Sequence, residues 1–309
     1  MILSVSRRTD IPAFYSEWFY NRVKEGFVYV RNPMNIHSIS KVTINPNVVD
    51  CIVFWTKNPK AMLSRLDEIK DFNYYFQYTI NPYNRELEVH VPKKDNVIET
   101  FIELSQKIGS KRMIWRYDPI LLTNEIDINY HIKYFEEIAK RLSTYTKRCT
   151  ISFIDNYQKT ERNLTDTTAR ELTDIEILKI IDEIIPIAKN YGISIQTCSE
   201  KIDLESYGIG HGKCIDDQIV EELLGCNIQI SKDKNQRKEC GCVQSIDIGE
   251  YNTCGHNCLY CYANFNNEVV AKKRLQHDPK SPLLTGKVES NDKVTDREIC
   301  PLKRDNLLF

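Results

Sequence analysis

No stretch of the 309-residue chain approaches the roughly 20 consecutive apolar residues of a membrane-spanning helix. Nor does one sign of charge predominate. The 42 Lys and Arg stand against 43 Asp and Glu, interspersed, for a formal net charge of −1. The basic excess of a dedicated nucleic-acid binder is missing, so stable nucleic-acid binding is not expected and only a local basic pocket remains open. Near the start, Ile2-Leu3-Ser4-Val5 ahead of Arg7-Arg8 is too short for the apolar core of a signal peptide. Internal repeats and low-complexity tracts are absent. No glycine-rich turn follows the first strand candidate, which removes the dinucleotide-binding fingerprint. The expectation is a soluble, cytoplasmic chain of one large domain or two ordinary ones. Its 41% hydrophobic residues and 17 tyrosines can build a substantial core.

Cysteine, by contrast, is plentiful. Of 11 cysteines, eight fall within residues 198–261. In a reducing compartment such crowding argues for metal ligands over disulfides.

Up to residue 197 the chain alternates short β-rich runs with helical patterns. Strands are expected at Ile2–Ser6, Cys51–Thr56, Tyr74–Thr79, Arg112–Arg116, Cys149–Ile154 and Ile193–Thr197. Most are nearly continuous apolar or aromatic runs, as in parallel strands covered on both faces. Helices are expected over Asn96–Ile108, Ile128–Tyr145 and Asp174–Tyr191, the last opening with a Thr173/Glu176 capping box and stopping at Gly192. Repeated strand–helix units predict an α/β fold with parallel strands, a complete or partial (β/α) barrel, with a doubly wound open sheet as the competing architecture. Three segments follow: barrel units over 1–197, a cysteine-rich cluster-binding stretch completing the barrel over 198–265, and an irregular tail over 266–309. Beyond residue 197 the one clear helical pattern is Asp216–Leu224.

Each expected strand runs into a polar segment, including Ser6-Arg7-Arg8-Thr9-Asp10, Trp55-Thr56-Lys57-Asn58-Pro59 and Trp115-Arg116-Tyr117-Asp118-Pro119. In a barrel these ends emerge on the C-terminal rim, where active sites sit. Arg7, Arg8, Lys57 and Arg116 suit carboxylate or phosphate groups. Asp10, Asp118 and Asp155 suit ion pairs or hydroxyls, and Tyr78 or Tyr117 a stacking or hydrogen-relay role. The same charges could instead form ion pairs that close the barrel mouth.

The densest motif is Cys254-Gly255-His256-Asn257-Cys258-Leu259-Tyr260-Cys261, after the strand-like Val243–Ile248. Three thiolates on so short a loop can hold three irons of a [4Fe-4S] cubane and leave the fourth open, where four-cysteine ligation leaves none. An open iron can chelate the amino and carboxylate groups of a methionine.

With Tyr260 just before its last cysteine, this loop resembles the cluster loop of the radical S-adenosylmethionine superfamily. The whole chain also resembles an uncharacterised family, a domain of unknown function with such a cysteine cluster at its C-terminal end. The shared segments are Val5-Ser6-Arg7-Arg8-Thr9-Asp10-Ile11-Pro12, Phe54-Trp55-Thr56-Lys57-Asn58-Pro59, Trp115-Arg116-Tyr117-Asp118-Pro119-Ile120-Leu121, His211-Gly212-Lys213-Cys214-Ile215-Asp216 and Asp233-Lys234-Asn235-Gln236-Arg237. The resemblance implies a [4Fe-4S] cluster on Cys254, Cys258 and Cys261, with Tyr260 beside the bound S-adenosylmethionine. It also implies an external reductant such as a flavodoxin or ferredoxin, and a 5′-deoxyadenosyl radical that attacks a small-molecule, peptide or nucleotide substrate. Typical members place the cysteine loop after the first barrel strand. Here it follows about the seventh, so the barrel is expected to be permuted, and no Gly-Gly-Glu-type segment follows a second strand.

Cys198, Cys214, Cys240 and Cys242 form a second candidate set, for an auxiliary [4Fe-4S] cluster, a tetrahedral zinc, or plain buried thiols. Cys51, Cys149, Cys226 and Cys300 read as core or surface residues. His256 is a candidate contact within the loop, His211 a candidate for orienting the Cys214 loop, and His37, His90, His131 and His277 read as structural. The alternative function is a non-catalytic zinc- or cluster-binding protein with a structural or nucleic-acid or partner-binding role. A two-cluster electron carrier ranks last, because a barrel-sized body with a polar rim exceeds what electron carriage needs.

Overall fold

The apolar runs read as strands all pair side by side in the computed structural model, which describes residues 1–155, 162–299 and 302. In chain order the elements are β1 (Ile2–Val5), α1 (Ile11–Phe14), α2 (Ser16–Glu25), β2 (Phe27–Asn32), β3 (Asn35–Thr43), β4 (Cys51–Thr56) and β5 (Tyr74–Thr79). There follow α3 (Lys94–Ile108), β6 (Met113–Ile120), α4 (Ile128–Leu142), β7 (Arg148–Phe153), α5 (Asp174–Asn190), β8 (Ser194–Cys198) and β9 (Gly210–Gly212). Last come α6 (Asp217–Leu224), β10 (Ile246–Asp247), α7 (Asn267–Leu275) and β11 (Lys293–Asp296). The main sheet has eight strands in the order β10-β1-β4-β5-β6-β7-β8-β9. All its pairings are parallel.

Both sheet faces are covered, which is why the strands read as unbroken apolar runs. Leu3, Phe54, Phe76, Trp115 and Ile151 point to one face, against Trp18 and Phe19 of α2, Phe101 and Leu104 of α3, Phe135 of α4 and Ile180, Ile181 and Ile184 of α5. The alternate residues Ile2, Val53, Tyr75 and Ile114 point the other way, into a second cluster with Ile215, Ile219, Val220 and Val243. Each large side chain so buried contributes about 1.5–3 kcal/mol. The α5 capping box is present as expected: Thr173 N donates to Glu176 Oε2 at 2.9 Å and Glu176 N to Thr173 Oγ1 at 3.3 Å.

The sheet's hydrogen-bonded order ends at β10 on one side and β9 on the other. Residues 214–243 lie on the sheet face of the second cluster. The Cys214 carbonyl accepts from Tyr75 Oη at 2.7 Å and Gln77 Nε2 at 2.9 Å, both on β5, and Val243 N donates to Ile215 O at 3.1 Å.

Several boundaries differ from the sequence reading. β6 continues past Arg116 to Ile120, because Ile120 still pairs with Phe153 after a register shift. α3 starts at Lys94 with no side-chain cap, not after Asp95. Of Val243–Ile248 only Ile246–Asp247 is strand, since Val243 instead bridges to Lys232 in antiparallel fashion. The tail is not irregular throughout: it holds α7, and β11 adds parallel to β3 in a three-stranded sheet β11-β3-β2. Among the described residues, no helix is long and apolar enough to cross a membrane.

Candidate metal and cofactor site

Parallel strands put their carboxyl ends along one edge of the sheet, so the polar segments after β1, β4 and β5 become neighbours. With the cysteine loop they enclose a cavity of about 580 Å³, part of it open to solvent. Cys254, Cys258 and Cys261 all line it, as do Arg7, Arg8, Asp10, Lys57 and Tyr260.

Asp10 binds three chain segments together. Its Oδ1 caps α1 through Ala13 N at 2.9 Å, while Oδ2 accepts from Lys57 N at 2.7 Å and faces His256 Nε2 at 2.9 Å. Asp247 does the same for the sheet edge, accepting from Ser4 Oγ and Ser6 Oγ at 2.6 Å and from Arg7 N at 2.8 Å. Gly249 has to be glycine here, because a Cβ at that position would stand 2.0 Å from Ser6 Oγ.

The segment after β5 holds the loop from the other side. Leu259 N donates to Leu87 O at 2.9 Å, and His90 N to His256 O at 3.0 Å. At its centre is Glu88, 1% exposed, paired with Lys57 Nζ at 2.7 Å, with Lys94, and with the Tyr260 hydroxyl. Burial pushes the Glu88 carboxyl up, but the two ammonium groups outweigh it and hold it at about 2. One carboxylate serves two cations unequally. Burial depresses both lysines, yet Glu88 carries Lys57 above its ordinary value, whereas Lys94, also repelled by Lys57, stays below. Tyr260 receives Lys57 Nζ at 2.9 Å and Asn81 Nδ2 at 3.1 Å, so its ring is fixed beside the cavity.

Three cavity-lining polar atoms are buried and have no hydrogen-bond partner among the described residues: Thr9 Oγ1, His256 Nδ1 and Asn264 Oδ1. Such orphans are costly unless a ligand or water satisfies them. Burial pushes the Cys254 thiol up to about 12, with Asp10 and Cys261 adding to it, and burial raises Cys258 and Cys261 as well. A cation bound to these sulfurs would favour their thiolate forms. The cavity's cations differ in how they are held. Lys57 is held by Glu88, and Arg7 lies 3.9 Å from Asp247 and 3.8 Å from Asp233. Arg8 lies over the Tyr251 ring, 5.2 Å to its centroid, and has no carboxylate partner among the described residues.

Two expected site residues lie elsewhere. Arg116 and Asp118 do not line this cavity. Arg116 pairs with Asp118, which in turn takes the Ser152 hydroxyl, and Arg116 Nη1 donates to Cys214 Sγ at 2.8 Å. Their side chains leave β6 on the face that residues 214–243 cover. There the second cysteine set comes together: Cys198 Sγ lies 2.9 Å from Cys214 Sγ, and Cys242 is close enough to interact with both Cys214 and Cys240. Among the described residues no group of three or more His, Cys, Asp or Glu is already arranged as a metal cage. Tyr78 and Tyr117 face the helices, donating to Val97 O and meeting His131 Nδ1, away from the rim. Cys300 lies outside the described residues.

Sequence reasoning missed Glu88, Asn81 and Asp247. Glu88 sits in Arg85-Glu86-Leu87-Glu88, which reads as an ordinary charged loop. Asp247 alternates with Ile246 and Ile248 and so reads as a strand's solvent-facing residue.

Fold and site together define an α/β protein whose parallel strands end at a thiol-lined cavity. The chain belongs to the family described as Domain of unknown function (DUF1848), which it matches over residues 2–263. No curated protein and no solved structure matches it.

Proposed function

We propose that this protein is a radical S-adenosylmethionine enzyme that carries a [4Fe-4S] cluster on Cys254, Cys258 and Cys261. The observation that carries this reading is the convergence of three thiols from one loop and three unpartnered polar atoms on a single cavity at the strand ends. Three thiolates on a [4Fe-4S] cubane would leave the fourth iron open. When bound, the cluster and S-adenosylmethionine supply one-electron cleavage of the sulfonium bond and a 5′-deoxyadenosyl radical. Arg8, the cavity cation with no carboxylate partner among the described residues, is the residue for the methionine carboxylate. Thr9, His256 and Asn264 offer the unpaired groups for the amine and the nucleoside hydroxyls. Lys57, Glu88 and Tyr260 hold the loop in place and close the cavity on that side. The reading calls for an external one-electron reductant and a substrate that is a small molecule, peptide or nucleotide.

The test is anaerobic reconstitution of the full chain, with iron and sulfide analysis. Reduction in the presence of S-adenosylmethionine should then release 5′-deoxyadenosine from wild type and none from Cys258→Ala. An intact cluster that yields no deoxyadenosine under strong reduction refutes the proposal. Stoichiometric zinc on these three cysteines, with no iron, would favour a non-catalytic metalloprotein.

A further inference from the structure

The four cysteines of the second set come from three separate segments: Cys198 ends β8, Cys214 follows β9, and Cys240 and Cys242 precede β10. The fold nevertheless gathers them: Cys198 Sγ meets Cys214 Sγ at 2.9 Å, and Cys242 is close enough to interact with Cys214 on one side and Cys240 on the other. Three of the four are buried, and Cys198 is half-buried. Two further donors point at the sulfurs: Arg116 Nη1 reaches Cys214 at 2.8 Å and the Ile215 amide reaches Cys242 at 3.4 Å. N–H donors and a guanidinium aimed at sulfur are the surroundings expected of metal-bound thiolates. Arg7 is also close enough to interact electrostatically with Cys214 and Cys242.

We propose that Cys198, Cys214, Cys240 and Cys242 hold one divalent metal ion, zinc by its chemistry, in a closed tetrathiolate site separate from the Cys254, Cys258 and Cys261 centre. Close spacing favours a single ion over a cluster. Tetrahedral Zn–S bonds of about 2.3 Å set sulfurs about 3.8 Å apart, within the range of thiol hydrogen bonds. A cubane holds its four thiolates at its outer corners, considerably farther apart than neighbours such as Cys198 and Cys214 at 2.9 Å. The sulfurs now form a chain; each thiol turns about one torsion, and loss of four protons on binding turns the chain into a tetrahedron. Two positive charges of the ion, with Arg116 and Arg7 nearby, offset the four thiolates. The ion would pin β8 to residues 214–243, and Arg116, which is absent from the rim cavity, would serve this site through its bond to Cys214.

The test uses the full chain with the first centre removed, Cys254→Ala/Cys258→Ala/Cys261→Ala, grown with zinc and dialysed against a weak chelator. Elemental analysis should find about one zinc per chain, and adding Cys214→Ser or Cys242→Ser should abolish it. No zinc in the triple variant, or zinc that survives both serine changes, overturns the proposal. Iron with acid-labile sulfide in the triple variant overturns the single ion in favour of a second cluster. Because buried-thiol variants can fail to fold, zinc-edge X-ray absorption of the wild-type chain, its first site filled with iron, gives an independent reading. A shell of four sulfurs at about 2.3 Å is expected; a shell containing nitrogen or oxygen refutes the site.

Discussion

Glu88→Gln should be the most damaging near-isosteric change at the rim, and its size can be worked out in two ways. At pH 7 the carboxylate neutralises two ammonium groups in a place where it is itself 1% exposed, while Lys57 and Lys94 are 15% and 30% exposed. Removing one partner of a buried ion pair costs about 3–5 kcal/mol, because the other charge stays behind without compensation. Lys94 can turn toward solvent, which places the expected loss at the lower end. Linkage gives a second figure. A carboxyl held at about 2, against an ordinary 4.5, stabilises the folded chain by about 3 kcal/mol at neutral pH. Because the folded value is depressed, that stabilisation is complete above pH 4.5 and disappears as pH falls toward 2. The assay is urea unfolding of metal-free wild type and Glu88→Gln across this range. The difference should be about 3 kcal/mol at neutral pH and should shrink below pH 4.5. Equal midpoints at neutral pH, or a difference that does not change down to the acid limit, would refute the reasoning.

Three other perturbations test separate parts of the molecule. His131 is fully buried between Tyr117 Oη and Leu121 O, both at 2.8 Å, and burial pushes its imidazole down to about 4. Its depressed value means that about 3 kcal/mol of stability, present above pH 6.5, is lost as pH falls through 4; His131→Phe should lack this acid step, and parallel pH profiles would contradict it. Burial, with Asp155 and Asp118, raises the Glu200 carboxyl to about 8 although Phe153 N donates to it. Here stability is present below 4.5 and lost as pH rises through 8, so Glu200→Gln should unfold at higher urea than wild type in alkaline buffer and not in acid. Gly249→Ala must displace the Ser6 hydroxyl from Asp247, at a cost of about 1–3 kcal/mol. Gly210→Ala, with nothing within 4 Å of its Cβ, is the control, and equal urea midpoints for the two variants would show that the Ser6–Asp247 contact is dispensable.

Most of the strands that were legible in the sequence are those buried on both faces. Cys51–Thr56 and Tyr74–Thr79 are read to the residue, because nothing but a central parallel strand asks for six such residues in a row. The β2–β3 hairpin was not legible. Its strands are half exposed and carry Arg31, Asn35, His37 and Lys41, so no apolar period marks them. The cavity-lining members of the candidate site were found for a related reason. Arg7, Arg8, Asp10 and Lys57 directly follow recognisable strands, and in a parallel sheet that fixes which edge they occupy. Arg116 was misassigned because β6 runs on for four residues beyond it, which leaves its side chain against Cys214 on the face that residues 214–243 cover instead of at the rim. Glu88 was invisible because its importance comes from two lysines and a tyrosine that only the fold brings to it.

The late position of the cysteine loop is a property of chain order, not of space. Seven strands of the main sheet precede β10 in sequence, yet β10 lies beside β1, with Leu3 opposite Ile246 and Ser4 opposite Asp247. All eight strands are parallel, so whatever leaves β10 must emerge at the same edge as the Ser6–Asp10 segment that leaves β1. Asp247 enforces this adjacency by accepting from Ser4, Ser6 and the Arg7 amide at once. Following the sheet from its β10 edge, the cysteine loop comes after the first strand met and the basic Arg7-Arg8 segment after the second. The cavity is therefore completed only once the last third of the chain is made, although the residues that line it come from both ends of the sequence.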